Sequence, residues 1–165
     1  MKPVLDPASS VRSFYFNKTD ERVVFGDIRE NETHLLTNGQ TIHIKPDQVM
    51  DFRAIPYPDE TFQMVVFDPP HRIKLTAESD FIKKYGQLDK DTWQQDIKKG
   101  FDECWRCLDD YGVLVFKWND SSVKRKELLF VLNRPYLFGH PNGSKIPTHW
   151  FVFMKISEGE ALTNG

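Results

Sequence analysis

Apolar residues along this chain fall into short unbroken runs, and each of the runs in its first half ends at an acid. Val4-Leu5 stops at Asp6-Pro7, Val23-Val24-Phe25 leads to Asp27, Val49-Met50 to Asp51, and Met64-Val65-Val66-Phe67 to Asp68-Pro69-Pro70. A continuous apolar run of this length predicts a strand buried on both faces, as in a parallel sheet covered by helices. The fourth run is cut off most sharply. Pro69 and Pro70 lack the N–H donor and fix φ, so the ladder ends at Phe67 and the Asp68 carboxylate is held at the C-terminal end of a central strand. In an open α/β sheet that edge is where ligands bind.

The remaining segments predict the connections. Ala8 to Phe16 reads as a short helix capped by Ser9 or Ser10, or as an aromatic packing segment. His34 to Ile44 reads as an inserted hairpin, because Asn38-Gly39 between two β-type runs suits a type I′ turn with positive φ at both central residues. Arg72 to Asp89 has no clean period and predicts a long mobile loop over the ligand edge. Asp91 to Leu108 is the clearest helix: Trp93, Ile97, Phe101, Cys104, Trp105 and Leu108 share one stripe, Asp89 or Asp91 starts it and Tyr111-Gly112 ends it. Val113 to Trp118 is a buried strand, and Ser121 to Leu132 a second helix capped by Ser121 or Ser122, with Val123, Leu128 and Val131 inward. Leu137-Phe138 and Trp150 to Met154 are final, antiparallel strands. The pattern predicts one α/β domain over residues 1–156: a three-layer, Rossmann-like sheet, mostly parallel, with an antiparallel C-terminal strand and an inserted hairpin. Residues 157–165 read as a frayed tail.

Composition narrows the function classes. At 165 residues the chain suits one domain with a real core. No apolar run approaches the ~20 residues of a membrane helix, and the Met1-Lys2-Pro3-Val4-Leu5-Asp6 start lacks a signal-peptide apolar region, so no membrane association and a cytoplasmic location are expected. The only cysteines, Cys104 and Cys107, are too few for a disulfide scaffold. They lie near the end of a helix with no second ligand pair at suitable spacing, so no metal site is expected. The formal net charge is −2, yet Lys117, Lys124, Arg125, Lys126, Arg134, Lys145 and Lys155 face only Asp120 and Glu127 in the same stretch. That basic C-terminal surface is either a solvated helix face or a contact for DNA or RNA phosphates.

Asp27 follows Asp6 at about the twenty-residue spacing at which dinucleotide folds place the acid for the ribose hydroxyls. Asp68-Pro69-Pro70-His71 resembles the DPPY-type motif of amino-methyltransferases, and the chain as a whole resembles class I S-adenosylmethionine-dependent methyltransferases, in particular short phage and prophage versions. The other carriers are Val4-Leu5-Asp6-Pro7-Ala8-Ser9-Ser10-Val11-Arg12, in place of a VLDPCCGSR-type opening, FGDIRE around Asp27, ECWRCLDDYGVLVFKW, and the THWFVFMK close. The resemblance implies S-adenosyl-L-methionine as cofactor. Its methionine part would lie on Asp6, Pro7, Ala8, Ser9 and Ser10, its ribose on Asp27 and Ile28, its adenine on Asp51 and Phe52, with Asp68 beside it. Ser10 stands where the family has glycine, and would bind through its N–H and hydroxyl.

The activity so implied is methylation of an exocyclic amino nitrogen, adenine N6 or cytosine N4. Asp68 and the Pro69 carbonyl would accept the two amine hydrogens. His71, after the prolines, would stack on the extruded base, orient a polar substrate or shuttle a proton. Lys117 and Trp118, at the end of the VLVFKW strand, either line the substrate pocket or serve the structure. Two other readings stay open: a methyltransferase for a small-molecule or protein nitrogen, and a non-catalytic cofactor-fold binding module. A chain this short also suggests a homodimer that completes the substrate surface.

Overall fold

In the computed structural model, which describes residues 2–73 and 79–156, the apolar runs become the strands of one sheet. They are β1 (Val4–Asp6), β2 (Val23–Asp27), β5 (Gln48–Val49), β6 (Phe62–Phe67) and β7 (Leu108–Asn119), joined by β8 (Phe138–Asn142) and β9 (Thr148–Met154). Among the described residues the order is β5-β2-β1-β6-β7-β9-β8. β1 pairs in parallel with β2 and β6, β2 with β5, and β6 with β7, while β9 runs antiparallel to both β7 and β8. The parallel strands therefore bring Asp6, Asp27 and Asp68 to one edge. The tail at 157–165 lies outside the described residues.

Strand alternation divides the two faces. Leu5, Val65, Phe67, Leu114, Phe116, Phe151 and Phe153 are buried beneath α2 (Trp93–Cys107) and α3 (Arg125–Leu132). Phe101 of α2 anchors this side, edge-on to Phe153 and tilted on Phe116. Gly100 is what lets α2 come so close: a Cβ there would meet the Phe52 ring at 2.5 Å and the Phe67 ring at 2.9 Å. The opposite face is covered by the chain between β1 and β2. That segment forms no helix and is the aromatic alternative: Phe14 meets Trp150 edge-on, Tyr15 does the same to Phe25, and the Arg12 guanidinium lies 3.9 Å from the Phe25 ring centroid. Beyond its reach Met64, Met154 and Phe138 remain exposed.

Several boundaries differ from expectation, each for a local reason. The hairpin forms from β3 (Glu32–Leu35) and β4 (Thr41–Ile44), but only Gly39 has positive φ, and Leu36 N–H donates to Gln40 O, so the loop is longer than a type I′ turn. α2 ends at Cys107 rather than at Tyr111-Gly112; Leu108 is already extended, and Tyr111, at φ 61°, absorbs a bulge inside a longer β7. α3 begins at Arg125 without a serine cap, because the Asp120 carboxylate accepts the Arg125 N–H and Val123 plugs the core ahead of the helix. Val131 is only partly buried there, and Leu132 takes the inward position. Within the stretch expected as a mobile loop, Asp80–Tyr85 forms a helix, α1, capped by the Ser79 side chain, and Leu88 N–H donates to Arg72 O; residues 74–78 lie outside the described residues.

Candidate active site

Two cavities open along the carboxyl edge, on either side of α1. The first, of about 330 Å³, is lined by Pro7, Ala8, Asp27, Ile28, Asp51 and Phe52 among others, so six of the expected cofactor residues share one wall. The second, of about 220 Å³, is lined by Ser9, Ser10, Asp68, Pro69, His71 and Lys117 among others. Ala8 and Tyr85 line both, and Pro69 and Pro70 turn to opposite cavities. The two spaces thus meet at the Asp-Pro-Pro turn.

Asp6 lies beneath this junction, fully buried. Its Oδ1 accepts the Ala8 N–H, while neither Oδ2 nor the neighbouring Tyr15 hydroxyl closes a well-formed hydrogen bond. Burial pushes the Asp6 carboxyl up to about 8, against the opposing influence of the nearby Tyr15 hydroxyl and of the Ala8 N–H. The folded chain therefore holds a proton that the unfolded chain releases near pH 4, and stability falls as pH rises from about 4 to about 8. Asp6→Asn removes this dependence. In urea titrations at pH 5 and pH 8 the variant is expected to gain on wild type by up to about 1.4 kcal/mol per pH unit; an unchanged difference would place the Asp6 charge in contact with solvent.

The acids at the ends of β2 and β5 are each held by an arginine two residues on, a feature that the sequence reading missed. Asp27 accepts four donors: the Ser10 N–H at 3.0 Å, the Arg29 N–H at 3.0 Å, Arg29 Nε at 2.8 Å and Arg29 Nη2 at 2.9 Å. Arg29 Nη1 reaches on to the Lys83 and Lys84 carbonyls at the end of α1. Asp51 is forked in the same way by Arg53, which also bonds Asp96 of α2 at 3.0 Å. The Arg53 hydrogen bonds lower the Asp51 pKa. The signal was present as a repeated Asp-x-Arg at Asp27-Ile28-Arg29 and Asp51-Phe52-Arg53. Phe52, as expected, stands at the cavity wall, edge-on to Phe67.

Ser10 adopts φ 49°, the left-handed conformation that a glycine takes without strain. Its N–H is spent on Asp27 and its hydroxyl donates to the Lys84 carbonyl, so both groups proposed for the cofactor are already engaged. Ser10 and Arg29 tie α1 to the sheet edge from below, and Asp80 accepts the Thr37 N–H and hydroxyl from the hairpin side. α1 has no buried residue, and these polar ties hold it in place.

In the second cavity Asp68 Oδ2 accepts Lys117 Nζ at 2.7 Å. Burial raises the Asp68 pKa and the Lys117 charge opposes it. Lys117 also lies 5.2 Å from the Phe14 ring and 5.6 Å from Trp150. His71 meets Phe81 and Trp118 edge-on, and burial, with the Lys117 and Arg72 charges, lowers it to about 4, so it is neutral at pH 7. A neutral ring is no acid at that pH. Of the two roles open to Trp118 the structure shows the structural one: it is wholly buried, donates its indole N–H to Val123 O at 2.9 Å, and meets His71 edge-on without lining the pocket.

The cysteines and, Lys117 apart, the basic residues near the C-terminus lie away from the two cavities. Cys104 and Cys107 are buried free thiols with pKa values raised mainly by burial, and no cluster of metal-ligating residues occurs among the described residues. Of the basic residues near the C-terminus, Lys117 is inside the second cavity, Arg134 stacks on Trp105 and Lys155 pairs with Glu60 at 3.6 Å. No helix among the described residues is long and apolar enough to cross a membrane.

No protein-family model matches the sequence, and no curated protein matches it. Solved structures do. A Pyrococcus horikoshii protein aligns over 92% of this chain and 81% of its own at TM-score 0.59 and 14% identity. A SAM-dependent methyltransferase from Methanosarcina mazei aligns over 93% of this chain and 92% of its own at TM-score 0.55 and 11% identity. Another from Leishmania major aligns over 92% of this chain and 63% of its own at TM-score 0.52 and 15% identity. At such identities the likeness shows the fold: a mostly parallel, Rossmann-like methyltransferase sheet with its separate hairpin.

Proposed function

We propose that this chain is an S-adenosylmethionine-dependent methyltransferase that acts on an exocyclic amino nitrogen of a nucleic-acid base. The observation that carries the reading is the meeting of two cavities at Asp68-Pro69-Pro70, one walled by Asp27, Asp51 and Phe52 and the other by Asp68, His71 and Lys117. The fold shared with SAM-dependent methyltransferases of Methanosarcina mazei and Leishmania major supports it.

The chemistry of the first cavity fits an adenosyl group. Carboxylates suit ribose hydroxyls and the adenine amino group, and Phe52 offers a ring for the purine. All four acceptor sites of Asp27 are filled, so binding there requires Arg29 to give up part of its fork. When bound, S-adenosylmethionine supplies an activated methyl for in-line transfer. The chain's part is alignment, which is worth several kcal/mol. Lys117 takes Asp68 Oδ2, leaving Oδ1 and the Pro69 carbonyl to accept the amine hydrogens and favour the pyramidal, nucleophilic nitrogen. His71 is neutral and serves as a ring and a hydrogen-bonding partner for the base.

A second reading, a degenerate cofactor-fold module that has lost the cofactor and serves binding or assembly only, is favoured by the Arg29 fork on Asp27, which fills the acceptors a ribose would use. Calorimetric titration with S-adenosylmethionine decides between them, alongside an Asp27→Ala and Asp51→Ala double variant. Micromolar binding that the double variant loses is the expected result. No binding at millimolar cofactor would sink the methyltransferase reading.

A further inference from the structure

Among the described residues, the second cavity carries an excess of unmet hydrogen-bonding capacity and one cation without a carboxylate partner. Among the described residues the buried side-chain polar atoms without a partner include Ser9 Oγ, His71 Nδ1 and Arg72 Nε, and all three residues line this one cavity. A buried polar group left unpaired loses its water without gaining a partner, so three around one space point to a ligand that pairs with them. Charge points the same way. Lys117 is neutralised by Asp68 at 2.7 Å, whereas Arg72, held 4.3 Å above the Phe81 ring, has no carboxylate partner among the described residues. Counted over the described residues, Asp68, Lys117 and Arg72 leave the cavity one positive charge on a guanidinium, whose planar fork matches oxyanions.

We propose that this cavity binds a phosphate group of the acceptor, through Arg72, His71 and Ser9, beside the amine held at Asp68. The inference rests on reading the second cavity as the acceptor site, and it sharpens that reading: the substrate is a nucleotide, free or in a strand, and not a neutral amine. Three separate donors suit the several oxygens of a phosphate better than the two of a carboxylate. His71 supplies its donor as the neutral tautomer with hydrogen on Nδ1, and Ser9 through a rotatable hydroxyl. The ion pair of Lys117 with Asp68 keeps the nearby carboxylate from repelling the anion.

The test compares deoxyadenosine 5′-monophosphate, deoxyadenosine, inorganic phosphate and acetate as ligands of the wild-type chain and of Arg72→Met, by NMR titration. S-adenosylmethionine binding is measured in parallel. Wild type is expected to bind the monophosphate roughly tenfold tighter than the nucleoside, to bind inorganic phosphate in competition with it, and to lose that preference in Arg72→Met. Arg72→Lys is expected to recover only part, since an ammonium keeps the charge but not the fork. Equal affinity for nucleotide and nucleoside in wild type, or an unchanged preference in Arg72→Met, overturns the proposal. Acetate competing as well as phosphate overturns the assignment to phosphate. Failure of S-adenosylmethionine to bind, with the phosphate preference intact, would count against the methyltransferase reading alone.

Discussion

Asp68→Asn is expected to lower the rate of methyl transfer by about 10²–10⁴-fold while leaving S-adenosylmethionine affinity within about threefold of wild type. The substitution keeps the size of the side chain, removes its charge and turns one of the two carboxylate oxygens into an NH2 group, so either Lys117 or the amine loses its acceptor. An exocyclic amine is a weak nucleophile because its lone pair is shared with the ring. On the proposed function, a carboxylate fixed at the end of β6 would stabilise the charge that develops as the nitrogen pyramidalises, and it is in place before the reaction begins. Because that interaction strengthens toward the transition state, kcat should fall and KM for the acceptor should change little. Single-turnover transfer from labelled cofactor reads this directly. A loss below tenfold would show that the alignment of acceptor and cofactor, and not the Asp68 charge, dominates the rate.

That carboxylate was legible in the sequence because its position rests on rules that act along the chain. An apolar run with no polar break must be a strand covered on both sides, and two prolines must end it. The same reasoning located β1, β2, β7, β9 and the stripe of α2, whose Ile97, Phe101 and Cys104 are fully buried. α1 escaped it. With no buried residue, Asp80–Tyr85 leaves no apolar period to find, and its position depends on polar ties from Ser10, Arg29 and Thr37 that lie far away in sequence. The same limit explains Trp118. Both Lys117 and Trp118 come at the end of the VLVFKW strand, but alternation sends them to opposite faces, Lys117 to Asp68 and Trp118 to the core.

The arginines at the first cavity show a subtler gap. Asp27 and Asp51 were identified as acids at strand ends, and the structure brings both to one wall. Their present partners are local, reached over two residues by a turn in which the carboxylate also accepts the arginine's own N–H. A motif read for its acids alone passes over such pairs. Arg29 ties Asp27 to the end of α1, so on the proposed function an adenosyl group that takes Asp27 would also compete with one of the ties that hold α1.

Lys117→Met is expected to destabilise the fold by about 3–5 kcal/mol at pH 8, the effect of leaving a buried carboxylate without its partner. Both side chains are largely shielded, Lys117 at 21% and Asp68 at 10% relative exposure, so solvent does little to replace the lost charge. The pH dependence follows from the direction of the Asp68 shift. Burial already raises its pKa in the folded chain, and removing the opposing lysine raises it further. The folded variant then keeps a proton that the unfolded chain has released, so its stability falls as pH rises through that interval. Urea titrations at pH 5 and pH 8 should show a small deficit at the lower pH and the full one at the higher. The Asp68→Asn and Lys117→Met double variant should recover most of the loss, because it removes the charge along with its partner, and should be as slow in methyl transfer as Asp68→Asn. A Lys117→Met variant within 1 kcal/mol of wild type at pH 8 would mean that water reaches Asp68, and the carboxylate would then be too well solvated to hold an amine in its reactive form.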